Sequence, residues 1–295
     1  MSLDYPTEDL HVAVVIVLFH PSDEDVANAA YLAEAYDGVI VDNSEEENFQ
    51  SRQVGRMHYL PLMQNEGIAE AHNKSISIIM QEGKARYIVL LDQDSRCPTD
   101  YPRQIAKEYC QLRRETNNLC ALGPTVCQIE TGEEYKSAFH KDNYVSSRLI
   151  KRKDIIASGC CLSVEAIQQV GLFDAALFID FVDTEWCYRA SSKGFVCGIT
   201  PNVQLYHKVG KKEIHIGRHI VSISAPFRYY YQYRNYVILT AKKHVPVSFK
   251  INFGIKFLLR FFYIPLIIKD GWSSWKYMAK GIRDGISSIL KPLHL

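Results

Sequence analysis
Two carboxylates one residue apart, Asp92 and Asp94, close the apolar run Tyr87–Leu91 in the stretch YIVLLDQDSR. Side chains in a strand alternate faces, so positions i and i+2 point the same way and the two acids converge if strand geometry persists to the tip. Two anions held that close raise each other's proton affinity unless a cation sits between them. A divalent, oxygen-ligated ion such as Mg²⁺ or Mn²⁺ fits that need. A turn that merely favours Asp ahead of Ser95 and Pro98 is the competing reading. A second acidic cluster lies in FIDFVDTEW, where Asp180, Asp183 and Glu185 stand among bulky apolar groups. Asp183 opens a helical pattern, so it is either an N-terminal cap or a general base. In the second case Phe178, Phe181 and Trp186 exclude water from it and raise its proton affinity.

The elements that must position these groups follow from hydrophobic periodicity. HVAVVIVLF (11–19) is a continuous, β-branched run, the mark of a strand buried on both faces, and GVIVDN (38–43) is a second strand reaching Asp42. Ser22 and Asp25 form a capping-box pattern that opens a helix running to Ala35. In NEGIAEAHNKSISIIMQEG, residues Ile68, Ala71, His72, Ser75, Ile76 and Ile79 recur at helical spacing, and Gly83 ends the helix. A further helix spans about 102–115. Strand alternating with helix, with buried strands, predicts an α/β fold on a mostly parallel sheet. Ligands in such sheets collect beyond the carboxyl ends of the strands. Phe19, His20, Asp42, Asp92 and Asp94 all fall at such ends.

Bulk properties narrow the class. The chain has 295 residues, 47% hydrophobic, enough for one large domain or two small ones. Its net charge is +1, but from position 241 onward ten Lys and Arg face two Asp and Glu, a net of +8 that leaves −7 for the rest. That asymmetry argues against nucleic acid as a partner and for a local contact with an anionic surface. The eight cysteines show no C-x-x-C or zinc spacing, and no signal-peptide pattern opens the chain. They are therefore expected to be reduced core residues of a cytoplasmic protein. Cys160-Cys161 has no basic neighbour in sequence, which speaks against a nucleophile. Ser158-Gly159, just before it, is a small-residue turn that could let backbone approach a ligand. No G-x-G-x-x-G follows the first strand, and no P-loop or G-x-S-x-G motif is present, which removes those chemistries.

In order along the chain, VDNS, NEG with AHNKSI, LLDQDS, SGCCLS, GLFDAALFIDFVDTEW, RASSKGF, YHKVG and YYYQYRN resemble the inverting family 2 glycosyltransferases, most closely their rhamnosyltransferase branch. GIRDGI near the end fits that branch too. The resemblance spans about 11–240 and implies a GT-A fold. That fold is a single αβα sandwich with a nucleotide-sugar half (about 1–123), an acceptor half (about 124–240) and C-terminal amphipathic helices over 241–295. It further implies that Asp42 hydrogen-bonds the base, and that Asn65, Gly67 and Asn73 line the nucleotide cleft with Phe19 and His20. Asp94 would ligate a divalent metal, with Asp92 on the ribose or beside the metal. His207, a candidate third donor, Gly159, Trp186 and Arg234 would face the diphosphate or the acceptor. Asp183 matches the family's base. Phe19-His20 replaces the usual Tyr-Asn, and Val182 stands where a Glu commonly precedes that Asp. The expected reaction moves a sugar from a dTDP or UDP sugar donor, such as L-rhamnose from dTDP-rhamnose, onto a hydroxyl of a bacterial cell-surface polysaccharide or lipid-linked intermediate. A sugar-phosphate nucleotidylyltransferase would need a Gly- and Arg-rich loop where FHPSDED stands. A non-catalytic scaffold at the membrane would not need the four acids.

NFGIKFLLRFFYIPLII (252–268) is apolar enough to suggest a membrane span, but Lys256, Arg260 and Pro265 argue otherwise. Asn252, Lys256, Arg260 and Tyr263 share one narrow arc, and Phe, Leu and Ile fill the remainder. Two placements stay open, packing on the catalytic domain or lying in the inner leaflet as a peripheral anchor.

Overall fold
The computed structural model describes residues 10–128, 132, 134, 143–207, 212–216, 219–268 and 271–290. The first half runs β1 (Val12–Leu18), α1 (Asp23–Ala33), β2 (Asp37–Asp42), β3 (Gln53–Val54), β4 (Met57–Pro61), α2 (Ile68–Glu82), β5 (Tyr87–Asp92), α3 (Tyr101–Glu115) and β6 (Leu119–Gln128). The second continues with β7 (Asn143–Ser146), β8 (Leu149–Arg152), β9 (Cys161–Ser163), α4 (Val164–Val170), a 3-10 turn (Ala175–Leu177), α5 (Val182–Ser192) and β10 (Val196–His207). A hairpin of β11 (Lys212–Ile216) and β12 (His219–Ile223) leads to α6 (Pro226–Ala241), α7 (Val247–Ile267) and α8 (Gly271–Leu290).

Ten strands form one sheet in the order β3-β4-β2-β1-β5-β9-β6-β10-β8-β7. The pairings β1–β2, β1–β5, β2–β4 and β6–β10 are parallel, as the buried runs predict. The other half is mixed, because the short strands β7, β8 and β9 enter antiparallel. Strands of three or four residues carry too little periodicity to be read from sequence. Alternate residues of β1 separate the two cores. Val15 and Val17 face α2, α4 and α5, and Val14, Ile16 and Leu18 face α1 and α3. This is the αβα sandwich. The capping box forms as expected, with Ser22 Oγ accepting from Asp25 N–H and Asp25 accepting from Ser22 N–H. Gly83, at φ 67°, ends α2.

The C-terminal helices belong to this body. Phe249 joins the α2/α5 core, while Phe257, Ile264 and Met278 form a third cluster with Tyr229 and Tyr233 of α6. GIRDGI has a packing reason. Gly281 and Gly285 lie four apart on the face of α8 that meets α6, where a Cβ on Gly281 would run into the Tyr230 carbonyl. One on Gly285 would sit 2.8 Å from the Arg234 carbonyl. Gly281→Val is therefore expected to destabilise the fold by about 1–3 kcal/mol in urea unfolding through overpacking against backbone.

Candidate active site
The carboxyl ends of β1, β2 and β5 meet at one rim. Phe19 N–H donates to Gln93 Oε1 at 2.7 Å, and His20 N–H to Ser44 Oγ at 2.9 Å, tying the β1 end to the turns after β5 and β2. Phe19 and His20 stay exposed with their rings 4.3 Å apart, and His20 Nε2 lies 3.1 Å from the Glu45 carboxylate. Asn43, which sequence reasoning passed over, holds the next loop. Its Nδ2 donates to Asn65 Oδ1, and its Oδ1 accepts from Glu66 N–H. Asn65 Oδ1 also accepts from Gly67 N–H. Gly67 is required as glycine, because at φ 85° a Cβ would stand 2.6 Å from the Phe178 ring.

Strand geometry does not persist from Asp92 to Asp94, which corrects the expected same-face convergence. Ser95 N–H donates to the Asp92 carbonyl and Asp92 N–H to Ser95 Oγ, so the chain turns at Gln93-Asp94. Both acids are half-buried at this turn. Arg96 braces it, donating to the Gln93 carbonyl at 2.8 Å and to Asp25 at 2.7 Å. The bridge from Arg96 to Tyr206 brings the end of β10 alongside, and His207 follows next in that strand; its side chain is outside the described residues. Among the described residues no group of three His, Cys, Asp or Glu could hold a metal ion. The candidate metal donors at this turn are Asp92 and Asp94. One or two carboxylates completed by water and phosphate oxygens is the usual way Mg²⁺ is held, so these residues fit a divalent ion.

Residues 154–161 join this turn to the second acidic cluster. Ser95 Oγ and Ser158 Oγ are 3.1 Å apart, Gly159 N–H donates to the Leu90 carbonyl, and Leu90 N–H to that of Cys160. On the other side Thr184 Oγ1 donates to Asp154. Asp183 sits half-buried in the first turn of α5, accepting from Thr184 N–H at 2.8 Å. Burial is the main force lifting its carboxyl from 3.8 to about 6, and the Asp154 charge adds to it. The charges of Asp92 and Asp183 both help raise the proton affinity of the buried Cys160 thiol. Burial holds both Cys160 and Cys161 well above the ordinary thiol range, which leaves them inert.

The turn that delivers Asp183 has an unusual backbone. Phe178, Asp180 and Phe181 all carry φ of 64–65°, a region that costs non-glycine residues about 1–3 kcal/mol each. It is held from α6. Asn235, fully buried, directs its amide nitrogen to the carbonyls of Leu177, Ile179 and Asp180 at 2.8–2.9 Å. Arg228 pairs with Asp180 at 2.6 Å, and Tyr231 stacks on Phe178 at 4.7 Å. YYYQYRN is thus chiefly a scaffold. Arg234, expected at the diphosphate or the acceptor, instead donates to the Ala176 carbonyl and lies over Tyr231.

Other expected contacts are also replaced by internal ones. Asp42 is fully buried, and its carboxylate accepts from Tyr59 Oη, Asn48 Nδ2 and Ser44 N–H, so it shapes the loop after β2 instead of meeting a base. Both ends of the Asn73 amide bond the backbone of Phe173. Trp186 Nε1–H donates to the Gly171 carbonyl from within the core, and Gly159, also buried, accepts from Tyr101 Oη. Glu185 is structural as well. Burial pushes its proton affinity up, but Arg189 and Lys242 outweigh that and hold it low, with His244 2.8 Å away. A cavity of about 160 Å³ lined by His11, Asp37, Arg56 and Lys84 lies at the amino ends of β1 and β2, away from this rim.

Over 264 residues the chain is 31% identical to the dTDP-rhamnosyl transferase RfbF of Shigella flexneri, covering 85% of this chain and 86% of that protein. It belongs to the rhamnosyltransferase-like glycosyltransferases. No family model matches it. Among solved structures, S. aureus TarS aligns at TM-score 0.56 and 13% identity over 95% of this chain and 49% of its own, so the glycosyltransferase spans about half of TarS. A mannosyltransferase of Pyrobaculum calidifontis, solved with GDP-Man and Mn²⁺, aligns at 0.51 and 11% over 94% of this chain and 75% of its own. GalNAc-T7, solved with UDP, GalNAc and Mn²⁺, aligns at 0.52 and 15% over 98% and 59%. These neighbours establish the GT-A fold of this glycosyltransferase.

The raised proton affinity of Asp183 predicts a transfer rate that falls as pH drops through about 6, where the carboxylate is lost. Because the folded state favours the proton, its stabilising contribution is present below the unfolded value and is lost as pH rises through about 6. Asp183→Asn should then melt higher than the parent at pH 8, by at most about 3 kcal/mol, and alike at pH 3, while transfer falls roughly 10²–10⁴-fold. Thermal unfolding at the two pH values, with sugar transfer measured at pH 8, checks both.

Proposed function
We propose that this glycosyltransferase moves L-rhamnose from dTDP-rhamnose to a hydroxyl of a cell-surface polysaccharide or lipid-linked intermediate, at the cytoplasmic side, with inversion at the anomeric carbon. The observation that carries the mechanism is Asp183, a carboxylate of raised proton affinity at the start of α5, joined to the Asp92–Asp94 turn through residues 154–161 by the Thr184–Asp154 and Ser95–Ser158 contacts. The named dTDP-rhamnosyl relative supports the donor. Residues 1–123 bind the donor and 124–240 the acceptor. Phe19 and His20 offer exposed rings to the base, and the Asn65–Gly67 loop borders it.

Asp183 takes the proton of the acceptor hydroxyl as that oxygen bonds the anomeric carbon. The bond from that carbon to the diphosphate oxygen breaks, and dTDP leaves with its electron pair. One in-line displacement needs no covalent intermediate, in parallel with inverting glycosidases. Asp92 and Asp94 would hold a divalent ion, which when bound offsets the charge that grows on the leaving diphosphate. Neighbours of this fold solved with Mn²⁺ support that assignment.

Calorimetry with dTDP tests this reading. Binding to the parent is expected to require Mn²⁺ or Mg²⁺, and Asp94→Ala should lose the metal-dependent part with an unchanged unfolding temperature. Metal-dependent dTDP affinity that survives in Asp94→Ala would remove the assignment, and tight binding of another nucleotide with none for dTDP would remove the donor.

A further inference from the structure
The inner and outer faces of α7 are both apolar. Phe249, Phe257 and Ile264 point inward and are buried. On the opposite arc, at about 100° per residue, Val247, Ile251, Ile255, Leu258, Phe262 and Leu266 follow one another in a band uncovered by this chain's described residues. Leu258 is 61% exposed, Phe262 63% and Leu266 80%. Scattered exposed apolar residues need no explanation, but a contiguous helical band of this length does. Lys256 lies on the arc between this band and the inner face, its Nζ over the Phe253 ring, and Lys250 lies on the other side, its Nζ donating to the Lys242 carbonyl. Trp272, 63% exposed, opens α8 beyond the Leu266 end of the band. No helix among the described residues is long and apolar enough to cross a membrane.

We propose that the outer face of α7 is a docking surface for an anionic lipid bilayer, on which the helix lies in the interfacial plane. Charge complementarity selects this occupant over a second copy of the chain. Residues from 241 onward carry +8 and the rest −7, so the end bearing the band is drawn to an anionic leaflet and the acidic remainder is repelled from it. An amphipathic helix with Phe, Leu and Ile on one face, edged by Lys and Arg, is the pattern of interfacial binding. The two placements left open by the sequence are therefore both used, the inner face on the catalytic body and the outer face on lipid. Phe181, in the strained turn before Asp183, packs on Phe249, Phe253 and Phe257 at 5.4–6.1 Å, so the docked helix is also a wall of that turn. Because the inner face supports that turn, the outer face is tested by surface substitution with the helix left in place.

The test is co-sedimentation of the full chain with phosphatidylcholine vesicles and with vesicles also containing phosphatidylglycerol, at low and moderate salt. The expected result is binding to the anionic vesicles only, weakened but not abolished by salt, because screening reduces the charge contribution and not the apolar one. Leu258→Gln/Phe262→Gln/Leu266→Gln should lower the bound fraction at least about tenfold with an unchanged unfolding temperature. Asp94→Ala should bind vesicles like the parent, which separates this inference from the catalytic reading. A full chain that stays in the supernatant at low salt, or a triple variant that binds like the parent, overturns the proposal. So does a dimer in light scattering that the triple variant dissolves while vesicles are ignored.

Discussion

The turn that leads to Asp183 hangs on a single side-chain amide. Asn235 reaches out of α6 and binds three carbonyls of a turn whose residues Phe178, Asp180 and Phe181 sit where L residues are rarely found. An asparagine NH₂ has two protons, so three short contacts mean shared donation, and full burial leaves no water to compete. Without that anchor the turn has every reason to relax, and Asp183 two residues beyond it would relax as well. The same turn touches the start of α2, since Ala69 N–H donates to the Phe178 carbonyl and Gly67 lies against the Phe178 ring. One polar clamp therefore sets both the position of Asp183 and the entrance to α2.

The C-terminal helices make the clamp possible. α6 is held by α8 through glycines that allow backbone to approach backbone, and by α7 through Tyr233 Oη on the Phe257 carbonyl and Tyr236 Oη on that of Lys250. Below them, Lys242 bridges Asp174 and Glu185, pinning the end of α6 to both ends of the catalytic segment. α7 is also a wall of the turn before Asp183, because Phe249, Phe253 and Phe257 pack around Phe181.

Much of the scaffold was legible because it is local. Continuous apolar runs gave β1, β2 and β5, the Ser22/Asp25 box gave the start of α1, and Gly83 gave the end of α2. The acids at strand ends and in FVDTEW were legible as candidates from their spacing and their apolar neighbours. What could not be read depends on partners distant in sequence. The Asp92–Asp94 spacing looked like strand alternation, but Ser95 and Ser158 hydrogen bonds turn the chain. Asp42 looked like a ligand contact until Tyr59 and Asn48 were seen to occupy it. Asn73 and Trp186 are occupied by carbonyls 100 and 15 residues away. YYYQYRN was visible as a motif, but nothing local shows that Asn235 faces residues 55–58 positions upstream. Exposed polar residues with no internal partner would have been better site candidates than buried ones, and burial is what a motif does not reveal.

The central claim is that Asn235 positions the base instead of touching substrate, and the pH–rate profile of Asn235→Ala, measured below its unfolding temperature, tests it most directly. The account predicts a turnover loss of about 10²-fold, as expected for a displacement near 1 Å, with the donor KM little changed and the acidic limb moved below its parental position near pH 6. A profile of unchanged shape and height, or a loss matched only by the fraction of protein unfolded, would contradict it.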